Sequence, residues 1–117
     1  MNNNLITGIA GLKLLAAGRL HGLVAGTVVF VGAHPGFDTV TRTGPGDYLV
    51  TLSGCLANLT AVPVATSGTA TLFATVVRAG AGAYGPPLVH GTLQVLLVAP
   101  GAGGALDGDV DIMVLAV

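Results

Sequence analysis

Asp107-Gly108-Asp109-Val110-Asp111 places three carboxylates at alternate positions, a spacing at which side chains can converge on a hard cation such as calcium. A helix–loop–helix calcium loop beginning at Asp107 needs Gly at its sixth position and Glu at its twelfth. The sixth position is Ile112, and the sequence contains no Glu. On a strand, Asp109 and Asp111 share one face and repel unless each is paired. The segment is therefore read as an Asp107-Gly108 turn entering a last strand, with no metal ligands assigned. His21, His34 and His90 are the only histidines. None are spaced as a ligand pair on one strand or helix, although a metal on the axis of a trimer needs only one His per chain.

Other chemistry finds little to work with. The single Cys55 lies in the apolar run Leu52-Ser53-Gly54-Cys55-Leu56-Ala57. It excludes an intrachain disulfide and reads as a buried small hydrophobe, with a reactive thiol as the alternative. Gly101-Ala102-Gly103-Gly104 is glycine-rich but has no basic neighbour and no helix after it, so it reads as a flexible turn and not a phosphate cradle. Nucleophile-elbow, P-loop and dinucleotide patterns are absent from the sequence. Ser53 and Ser67 have no His or Asp at a telling position. The expectation is a non-enzymatic protein with no catalytic residues and no cofactor. Tyr84, in Ala81-Gly82-Ala83-Tyr84-Gly85, is the one aromatic placed in a loop and is a candidate sugar contact.

Any such residue must be positioned by strands. Nineteen glycines and six prolines interrupt the 117 residues every few positions, and the best helical stretch, Ile9 to Leu15, is broken by Gly11. Runs of β-branched and apolar residues between turn signals predict eight strands: 14–20, 24–31, 37–43, 47–53, 61–66, 70–78, 92–99 and 109–117. The clearest is the hairpin from Asp38 to Ser53, with Thr43-Gly44-Pro45-Gly46-Asp47 as its turn. The fold class expected is all-β, a jelly-roll-like antiparallel sandwich of about eight short strands. Alternation splits 47–53 into a Tyr48/Val50/Leu52 face and a mixed Leu49/Thr51/Ser53 face. Strands 92–99 and 109–117 are apolar on both faces, which calls for cover on the second face as well.

Composition points the same way. Only 8% of residues are charged and 52% are hydrophobic, against roughly 25% charged in a typical soluble domain. The mean hydropathy is +0.84. A spanning helix needs about 20 apolar residues, and the longest clean run, Gly22 to Ala33, is shorter and holds three glycines. Met1-Asn2-Asn3-Asn4 lacks the basic start of a secretory signal. The expectation is one domain without membrane insertion, its surface covered by copies of itself or by a larger assembly. The net charge of −1 with no basic cluster removes the electrostatic footprint of a nucleic-acid binder.

Three segments in order carry a family resemblance: Ala16-Ala17-Gly18-Arg19-Leu20; Phe37 through Leu52, with its Thr-Gly-Pro-Gly-Asp-Tyr-Leu-Val hairpin; and Asp107 through Val114. Together they resemble the small β-sandwich modules of bacteriophage tail-fibre tips and other phage virion proteins, and are similar to the trimeric heads of collagen-like spore-surface proteins. The resemblance implies a homotrimer located in the virion, without catalysis, bound to the major capsid protein or to tail components. A fibre tip normally follows a long shaft, and only residues 1–12 precede this module. That departure favours a capsid decoration (cement) protein. A tail-fibre or tail-tip component and a glycan-binding head for host attachment are the alternatives. Residues 1–12, apolar after Asn4, are expected to form a short attachment arm, and residues 13–117 the sandwich domain.

Overall fold

The computed structural model describes residues 13–23, 27–56, 61–69, 71–83, 85–101 and 104–116. Eight strands account for most of them: β1 (Lys13–Leu23), β2 (Thr27–Val31), β3 (Phe37–Gly44), β4 (Asp47–Leu52), β5 (Ala61–Ser67), β6 (Phe73–Gly80), β7 (Thr92–Val98) and β8 (Asp109–Ala116). They form two four-stranded sheets, β2-β1-β8-β5 (the first sheet) and β3-β4-β7-β6 (the second), and all the pairings are antiparallel. β1–β2, β3–β4 and β6–β7 are neighbours within a sheet, whereas the connections β2–β3, β4–β5, β5–β6 and β7–β8 cross between sheets. Among the described residues no helix is long and apolar enough to cross a membrane.

The period of two sets which side chains go inside. Leu93, Val95 and Leu97 on β7 are fully buried, as are Tyr48 and Val50 on β4 and Val110 and Val114 on β8, with Ile112 nearly so. These alternate residues meet between the sheets, together with Leu20 from β1 and Phe37 from β3. Burying each Leu, Val or Ile side chain stabilises the fold by about 1.5–3 kcal/mol. The inner strands are β1, β8, β4 and β7, and they carry most of this load. Pro63 sits on the edge strand β5, where a missing N–H is tolerated.

All eight expected strands are present, most within a residue or two of the expected ends. β6 begins three residues later than the sequence suggested and β1 runs on to Leu23, three residues past its expected end; the expected start of β2 at 24 lies outside the described residues. The outer faces of β7 and β8 are apolar only in part, at Leu96, Val98, Met113 and Leu115, with Thr92, Gln94, Asp109 and Asp111 on the same faces, and only the inner faces are buried. Leu96 and Val98 are half-buried and Met113 is exposed.

The β3–β4 turn has the pattern of a type II turn, with Pro45 second and Gly46 third. Gly46 has φ +64°, a conformation that glycine adopts without strain. Gly44 is not in that region and its flank is open, a Cβ there meeting only Asp47 Cβ at 3.9 Å. The special requirement therefore falls on one glycine of the pair.

Candidate functional site: the Asp107 network and the outer sheet faces

Arg42 and Tyr48 face each other in the β3–β4 ladder, so both project to the same side of the second sheet. They meet Asp107, in the segment that leads from the second sheet into β8 of the first. Arg42 donates from Nε to Asp107 Oδ1 at 3.0 Å and from Nη2 to Oδ2 at 2.9 Å. The Gly46 amide donates to Oδ1 at 2.9 Å, and so does the Tyr48 hydroxyl, also at 2.9 Å. Tyr48 Oη accepts in turn from the Gly108 amide at 3.2 Å. Gly22 leaves room for this hydroxyl, because a Cβ at that position overlaps Tyr48 Oη.

The ionisation of the cluster follows from these contacts. The Arg42 hydrogen bonds, helped by the Gly46 amide and Tyr48, hold the Asp107 carboxyl down at about 2 against the opposing effect of burial. Burial, reinforced by the neighbouring Asp107 carboxylate, pushes the Tyr48 hydroxyl up to about 12. Both groups are thus locked in the states that bond each other: an anion that accepts and a phenol that donates. The arrangement is a clamp between the sheets.

Asp109 and Asp111 find separate partners across the β1–β8 ladder. His21 opposes Asp109, and Arg19 opposes Asp111. His21 Nδ1 lies 2.5 Å from Asp109 Oδ1. Arg19 bonds Asp111 through two nitrogens, at 2.7 and 2.9 Å, and these bonds hold the Asp111 carboxyl below its usual range. The three carboxylates of the 107–111 segment therefore diverge to three partners. Asp107 is more than the turn residue the sequence suggested, since its carboxylate gathers three donor groups, the Arg42 guanidinium, the Gly46 amide and the Tyr48 hydroxyl. No group of three or more His, Cys or acidic side chains able to hold a metal occurs among the described residues. Adding EDTA is expected to leave the melting curve unchanged, because the chain supplies each carboxylate with its own hydrogen-bond partner. A fall in melting temperature that calcium restores would contradict this.

The remaining residues singled out by sequence are dispersed. His34 stacks on Phe30, with ring centroids 4.1 Å apart. His90, just before β7, has its Nδ1 3.8 Å from Asp38 Oδ2 on β3. Cys55 is buried and free; with Leu15, Leu52 and Leu56 it borders a cleft of about 270 Å³. Gly101 and Gly104 both take positive φ in a turn. Tyr84 and residues 1–12 lie outside the described residues.

The two outward faces differ in chemistry. On the second sheet, Thr39 opposes Thr51, and Thr51 opposes Thr92. Nearby, Gln94 Nε2 donates to Asp47 Oδ1 at 3.0 Å. Apolar residues gather at one corner, where Phe73 opposes Val98. On the first sheet, one end is apolar throughout. Ala17 and Val64 flank Met113, and Leu14 and Val62 flank Leu115. Leu14, Val62 and Met113 are 58%, 53% and 43% exposed. The same face then carries the Arg19–Asp111 and His21–Asp109 pairs, with Val31 and Val29 beside them on β2. Alternation in β8 marked Met113 and Leu115 as a second apolar face, but their β1 and β5 neighbours are set by long-range register and were not legible in advance. Compared with known proteins, the chain matches no family model, no curated protein and no solved structure.

Proposed function

We propose that this chain is a non-enzymatic structural protein of a bacteriophage particle, a homotrimeric decoration (cement) module on the capsid surface. The observation that carries the reading is the exposed apolar end of the first sheet's outer face, on a protein with only 8% charged residues. Monomeric soluble proteins seldom leave such faces open. The ion pairs and the Asp107 clamp consume charged groups in structural bonds and leave few to act on a substrate. The resemblance of the 37–52 hairpin and the 107–114 segment to phage virion modules supplies the setting. The jelly-roll description of the sandwich rests on its wrapping: β5 pairs with β8 and β6 with β7, so the strand pair β5–β6 runs beside the returning pair β7–β8 over both sheets.

The test is to locate the protein on purified particles. Gold-labelled antibody is expected to decorate the capsid surface at many sites per particle. Label confined to the tail end would move the module to a fibre or tail tip. Particles without the protein would overturn the virion reading.

A further inference from the structure

We draw no further inference here: the strongest candidate, the cleft of about 270 Å³ bordered by Leu15, Leu52, Cys55 and Leu56 at the end of β4, rests on a lone buried cysteine with no second observation that points to a ligand.

Discussion

Asp107→Ala is expected to cost about 2–4 kcal/mol of stability, among the largest losses from any single polar substitution in this chain. Removing one member of a partly buried ion pair leaves the other uncompensated. Here the change strands three donors together: Arg42, the Gly46 amide and the Tyr48 hydroxyl. Arg42 and Asp107 are only 22% and 14% exposed, so water replaces the lost bonds poorly. Asp107→Asn keeps an acceptor for the amide and phenol and is expected to cost about half as much. The same carboxylate gives the wild type an acid dependence. Its folded pKa of about 2 lies below the ordinary 3.8, so its contribution is complete above about pH 5. It is lost as pH falls through 3.8 toward 2, and amounts to roughly 2 kcal/mol at 1.36 kcal/mol per unit. Denaturant titrations at pH 6 and pH 2.5 check both statements. Asp107→Asn should lose less between those two pH values than wild type does, and an equal loss would remove Asp107 from the acid response.

Gly46→Val is expected to lower the melting temperature by 10 °C or more, and Gly44→Val by much less. A β-branched residue at φ +64° costs roughly 1–2 kcal/mol in backbone strain alone. The position is also enclosed: a Cβ there lies 2.5 Å from the carbonyl oxygens of Leu97 and Leu106. Those neighbours are fixed, since the Gly46 carbonyl accepts from the Leu97 amide at 2.8 Å and its own amide bonds Asp107. Relief requires moving β7 or the approach to β8, which raises the cost to about 3 kcal/mol or more at roughly 4 °C per kcal/mol for a domain of this size. Thermal melts of the two variants decide it. Equal melting temperatures would show that the turn is not held as described.

The strands were readable because each carries its own evidence. Leu93, Val95 and Leu97 alternate with Gln94 and Leu96 inside seven residues, and Gly-Pro-Gly marks the β3–β4 turn without reference to anything distant. The late start of β6 and the last three residues of β1 were missed. The Asp107 clamp could not be read the same way, because its partners lie 59 to 65 residues away. Local pattern places Arg42 and Tyr48 opposite each other across a hairpin, but not which loop reaches them from the far sheet. The pairing of Asp109 with His21 and Asp111 with Arg19 depends in the same way on the β1–β8 register, which joins opposite ends of the chain. Sequence spacing raised the question of what neutralises these carboxylates, and the register answers it.

The mass of the protein in solution tests the proposed homotrimer most directly. Light scattering on purified wild-type protein at micromolar concentration is expected to give about three times the 11.4 kDa chain mass. A monodisperse species at 11.4 kDa, soluble and folded, would contradict the claim.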